Sequence, residues 1–167
     1  MAKILVIEDD LVNVEAAKAS LTNHEVTIAQ SIQEAFDILC DWRWGRGESF
    51  DIVMTDVNMP REKFGGVGGR VISFPDERPE SLPAGMAFAL AAANLGAKVA
   101  ILSDRDHHKD YISALLDLVA NDPRDSKSLI RAFFAPKPKN WGLALAKLSG
   151  EGLDGNENYL NPLASNK

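Results

Sequence analysis

Lys3-Ile4-Leu5-Val6-Ile7-Glu8-Asp9-Asp10 is a short, β-branched apolar run that stops on three consecutive acids. The four apolar residues in a row, with Lys3, read as the first strand, Lys3 to Ile7. The pattern then changes period. Leu11, Val14, Ala17 and Leu21 recur at helical spacing and predict a helix over 11–21 on one apolar face. Glu25 to Ala29 reads as a second strand. Ser31, with Glu34 three residues on, forms a capping-box signature and predicts a second helix to about Cys40. Phe50 to Thr55 is again nearly all apolar and reads as a central strand. Pro83 suits a helix start and Gly96 a helix end. Lys98 to Leu102 and Ile130 to Ala135 read as the fourth and fifth strands, with a helix over 109–120 between them and a last helix over 141–148. Strands alternating with helices predict an α/β fold: a doubly wound five-stranded parallel sheet, flavodoxin-like in strand order 2-1-3-4-5, with helices on both faces.

The remaining bulk properties agree. At 167 residues one domain is the natural reading, here 1–150, with 151–167 a polar, Gly/Asn-rich tail. Hydrophobic residues make up 46% and charged residues 25%, which excludes a wholly disordered chain and a coiled coil. With 18 Lys and Arg against 24 Asp and Glu, the net charge of -6 argues against nucleic acid as the main partner. Cys40 is the only cysteine, so no internal disulfide forms, and a reducing, cytoplasmic setting is expected. The N-terminal apolar run is too short for a signal peptide. The apolar window over 84–102 is broken by Asn94, Gly96 and Lys98, so no membrane span is expected.

In an open α/β sheet the ligand site lies at the carboxyl ends of the strands. There this sequence places Glu8, Asp9 and Asp10 after strand one, Asp56 after strand three, Ser103 and Asp104 after strand four, and Lys137 after strand five. Several carboxylates with one lysine carry excess negative charge that a cation must neutralise. Mg²⁺ suits carboxylate oxygens and keeps waters for a phosphoryl ligand. The lysine and a hydroxyl complete a phosphate pocket.

Four segments carry a resemblance: Ile4 to Asp10, Asp51 to Pro60, Ala100 to Ser103, and Phe134-Ala135-Pro136-Lys137-Pro138. In this order, each at a strand end, they resemble a response-regulator receiver domain, here stand-alone. The resemblance implies a phosphoryl group accepted on Asp56 from a histidine kinase or phosphotransfer protein. It implies Mg²⁺ organised by Glu8, Asp9, Asp56 and the Asn58 carbonyl. It assigns the phosphoryl-pairing lysine to Lys137, before a cis bond to Pro138, and the switch pair to Ser103 and Phe134. A downstream protein target, a possible homodimer and no catalytic turnover of a separate substrate are implied with it. The chain is longer than a typical receiver near 61–82 and 104–128, and Asp104 follows the switch serine. Two other readings stand beside this one. A pseudo-receiver would bind partners without phosphorylation. An aspartate-nucleophile phosphatase would need a general acid where Asn58 stands.

Further features read more simply as structure. Gly65 to Gly69 matches no phosphate-binding fingerprint and reads as a surface loop. Val71 to Phe74 fits a short extra strand. His107 and His108 read as a charged helix start rather than a metal site. Trp42 and Trp44 lie in an expected loop over 42–49.

Overall fold

A computed structural model describes residues 1–60, 81–103, 129–134 and 137–150. The expected strand at 71–74, the glycine cluster at 65–69, the helix over 109–120, Asp104, His107, His108 and the tail from 151 lie outside the described residues.

Five parallel strands form the sheet: β1 (Lys3–Ile7), β2 (Glu25–Ala29), β3 (Ile52–Asp56), β6 (Lys98–Ser103) and β7 (Ile130–Phe134). Their order is β2-β1-β3-β6-β7, which is the expected 2-1-3-4-5 arrangement once two short strands are set aside. Those two are β4 (Met59–Pro60) and β5 (Ser81–Leu82), paired antiparallel as a separate ribbon. The ribbon lies immediately beyond β3, pairing Met59 with Leu82 and Pro60 with Ser81.

The pleat of each central strand divides its side chains between two cores. Leu5, Ile7, Val53, Val99 and Ile101 pack on one face, with Ile32, Ala35 and Leu39 of α2 (Ile32–Arg43) and Met86, Phe88, Ala89 and Ala92 of α3 (Ala84–Asn94). Ile4, Val6, Ile52, Met54, Ala100 and Leu102 pack on the other. There they meet Ala17 of α1 (Leu11–Ser20), with Leu21 at its C-cap, and Trp141, Ala144 and Leu148 of α4 (Trp141–Ser149). Among the described residues two helices cover each face, as suits a doubly wound sheet.

Local chemistry sets the helix ends. Asp10 caps α1 by accepting from Val12 N–H at 2.9 Å. Ser31 caps α2 by accepting from Glu34 N–H at 3.1 Å, while the Glu34 carboxylate reaches back to Gln30 N–H at 2.7 Å. The return bond of the capping box thus lands one residue earlier than the usual form. Asn140 caps α4 by accepting from Leu143 N–H at 2.9 Å. Gly150, in the left-handed conformation at φ 81°, ends it.

Two expectations change. Helix α2 runs on through Trp42 and Arg43 rather than stopping at Cys40. Trp42 stacks edge-on against buried Phe50, with ring centroids 5.7 Å apart, and that burial extends the helix into the expected loop. Trp44, just beyond the helix, is exposed. In α1 the buried set is Asn13, Val14 and Ala17, whereas Leu11 is 68% exposed.

Candidate phosphoryl-acceptor site

The carboxyl edge of the sheet gathers the acids. Glu8 and Asp9 follow β1 directly, and Asp56 is the last residue of β3. One carboxylate oxygen from each lies within 4.8 Å of the others. Glu8 and Asp56 are buried and Asp9 is half-buried. Ser103, also buried, ends β6. Register puts Asp56 beside Leu102 and Ser103 beside Phe134 on adjacent strands. Asn58 is half-buried, two residues past Asp56.

The cation that meets this cluster is Lys139. Its Nζ lies 2.6 Å from Glu8 Oε2 and 2.8 Å from Asp56 Oδ1, and its side chain is 1% exposed. Lys137, the lysine assigned from sequence, stands instead half-exposed at the rim, with its Nζ 2.6 Å from Asp10 Oδ2. The peptide bond between Lys137 and Pro138 is cis, as the resemblance implies. The reason for the two-residue difference is packing. Trp141 is fully buried against the β1 face of the sheet and donates its indole N–H to Asn13 O at 2.9 Å. Lys139 N–H donates to Asn13 Oδ1 at 3.1 Å. These two anchors place Lys139, rather than Lys137, over Asp56, with its ammonium 5.7 Å from the Trp141 ring centroid.

The remaining hydrogen bonds hold the acids in place. Glu8 Oε1 accepts from Asp10 N–H at 3.2 Å and from Asn13 Nδ2–H at 3.3 Å. Asp56 Oδ1 accepts from Val57 N–H at 2.8 Å, and Asp56 O accepts from the Thr55 hydroxyl at 2.8 Å. Helix α3 begins against the same segment, with Gly85 N–H donating to Val57 O at 3.1 Å. A Cβ on Gly85 would stand 1.6 Å from Asp56 O, so only glycine permits this approach.

Burial pushes the Glu8 carboxyl above its ordinary range, against the lowering pull of Lys139, and the Asp56 charge adds to the rise. Burial raises Asp9 as well. Asp10 moves the other way, held down first by the hydrogen bond from Lys137. Among the described residues, Glu8, Asp9, Asp10 and Asp56 face Lys137 and Lys139, an excess of two negative charges. An all-oxygen donor set with that excess suits a hard divalent cation such as Mg²⁺. Glu8, Asp9 and Asp56 are the residues that would hold it.

Sequence reasoning missed Lys139, Asn13 and the buried indole of Trp141. The one available signal was Asn13, a polar residue beside Val14 on the apolar side of a helix.

The fold is that of response-regulator receiver domains. A bacteriophytochrome response regulator, AtBRR, superposes with a TM-score of 0.56 at 17% identity, over 90% of this chain and 91% of that one. A response regulator receiver domain protein from Clostridium thermocellum superposes at 0.54 and 20% identity, over 90% and 95%. The response regulator TrrA from Thermotoga maritima, in complex with Mg(2+)-BeF, superposes at 0.52 and 18% identity, over 90% and 98%. No protein-family model matches the sequence, and no curated protein matches it with significance. No helix among the described residues is long and apolar enough to cross a membrane.

Proposed function

We propose that the chain is a phospho-accepting receiver that takes a phosphoryl group on Asp56 with Mg²⁺ present and signals through changed protein contacts. The observation that carries this reading is Asp56 at the end of β3, 2.8 Å from the ammonium of Lys139 and clustered with Glu8 and Asp9. In-line phosphoryl transfer needs positioning and charge neutralisation more than covalent chemistry from the protein. An Asp56 carboxylate oxygen attacks phosphorus, forming the acyl phosphate as the bond to the donor's leaving group breaks. Bound Mg²⁺ supplies charge neutralisation for the phosphoryl oxygens. Lys139 pairs with the same oxygens, in the role the sequence reading gave Lys137. Ser103 supplies its hydroxyl from the end of β6, and Phe134, one strand over, is the proposed aromatic partner of the switch. The donor is a histidine kinase or phosphotransfer protein, and the output is a protein target, so the chain acts as a signalling protein rather than as a metabolic enzyme. The added charge on Asp56 biases a two-state surface.

One observation favours a second reading, a module that binds partners without phosphorylation. Lys139 and Glu8 form an ion pair with both side chains 1% exposed, so much of the acid charge is met from within the chain. Beryllofluoride, an acyl-phosphate mimic, separates the two readings. The receiver reading predicts saturable binding of beryllofluoride only when Mg²⁺ is present, and its loss in Asp56→Ala. A folded protein that binds Mg²⁺ but never beryllofluoride would favour the second reading.

A further inference from the structure

Asn13 lies inside α1, is 1% exposed, and bonds other chain segments through its side-chain amide and its backbone carbonyl. Its Nδ2–H donates to Glu8 Oε1 at 3.3 Å, its Oδ1 accepts from Lys139 N–H at 3.1 Å, and its backbone carbonyl accepts from the Trp141 indole at 2.9 Å. The amide orientation is dictated by the partners. A carboxylate accepts and a backbone N–H donates, and the amide, which carries a donor on nitrogen and an acceptor on oxygen, serves both at once. Lys139 is therefore gripped twice, directly at its backbone and indirectly at its ammonium, through the Glu8 carboxylate that Asn13 orients.

We propose that Asn13 is the positioning residue of the acceptor site, setting Lys139 and Glu8 in register with Asp56; this rests on the reading of Asp56 as the phosphoryl acceptor. Aspartate in its place keeps the acceptor for Lys139 N–H but turns a second carboxylate on Glu8. Alanine leaves Lys139 N–H without its side-chain acceptor and Glu8 without one donor. A displacement of Lys139 by about an ångström is enough to cost on the order of a hundredfold in a positioned reaction.

The test measures phosphorylation of the whole chain by a small acyl phosphate as a function of Mg²⁺. It compares wild type, Asn13→Ala, Asn13→Asp and the neighbouring core variant Val14→Ala, each checked for folding by circular dichroism. Val14 is as buried as Asn13 but carries no polar group, so it reports what loosening α1 does by itself. The plateau rate at saturating Mg²⁺ is expected to fall roughly tenfold to a hundredfold in both Asn13 variants and to stay within about threefold in Val14→Ala. Asn13 variants that match wild type, or that fall no further than Val14→Ala, overturn the positioning role. A wild type that takes no phosphoryl group overturns the acceptor reading itself, and with it this inference.

Discussion

Gly85→Ala is the most direct probe of how α3 is seated against β3. The added Cβ would meet Asp56 O at 1.6 Å, Asp56 C at 2.7 Å and Thr55 Oγ1 at 2.9 Å. The obstacle is backbone, and it belongs to a strand paired on both sides, with β1 and with β6. The strand cannot yield, so α3 must retreat by roughly 1.5–2 Å in a close-packed interior. That retreat pulls Met86, Phe88, Ala89 and Ala92 out of register with the core and stretches the bond from Gly85 N–H to Val57 O. Overpacking of this kind costs about 1–3 kcal/mol, and the weakened hydrogen bond adds about 1 kcal/mol. Alanine's advantage over glycine in a helix returns about 0.5–1 kcal/mol. The net expectation is a loss of about 1–3.5 kcal/mol, which lowers the urea midpoint by roughly 0.5–2 M at a slope of about 2 kcal/mol/M. Gly142→Ala is the internal control. Its Cβ would meet only ordinary contacts, the nearest being Ser20 Cβ at 3.7 Å, so helix propensity alone is expected to raise the midpoint slightly. Urea unfolding followed by far-UV circular dichroism reads both. A Gly85→Ala midpoint at or above wild type would refute the seating of α3 on Asp56.

Two further predictions concern the lysines. Lys139→Met strips the buried cation from Glu8 and Asp56, so it is expected to cost about 3–5 kcal/mol without metal. Mg²⁺ should recover part of that loss by binding only the folded state. Lys137→Met removes a half-exposed pair and is expected to cost at most about 1 kcal/mol; equal damage from the two substitutions would contradict the placement of Lys139. Lys137→Met is also expected to raise the Asp10 pKa toward its ordinary value, read by carboxyl NMR titration. A depressed carboxyl pKa stabilises the fold above the unfolded value, and that stability is lost as pH falls through the folded one. The variant should therefore lose less stability than wild type across that acid window, and an unmoved Asp10 pKa would refute the pairing.

The parts of the fold legible in sequence were those written in local pattern. The nearly all-apolar run of β3 announced a central strand, and the ends of β1, β3 and β6 delivered Glu8, Asp9, Asp56 and Ser103 to one edge. Lys139 was not legible, because Lys137 and Lys139 flank Pro138 alike and only the burial of Trp141 decides between them. Asn13 hid for a related reason. A polar residue in a helix reads as solvated unless a buried partner is known, and its partners lie in the distant segment over 139–141. The ribbon between Met59–Pro60 and Ser81–Leu82 escaped notice because two-residue strands have no periodicity of their own. Trp42 extends α2 through a tertiary contact with Phe50 that helix propensity does not encode.

The most direct test of the account is the intact mass of the protein after incubation with Mg²⁺ and a small acyl-phosphate donor, beside Asp56→Asn. The account predicts one phosphoryl adduct on wild type, lost when Mg²⁺ is chelated and absent from the variant. An adduct that persists in folded Asp56→Asn, or a folded, Mg²⁺-binding wild type that takes none from any acyl phosphate or phosphohistidine donor, would contradict it.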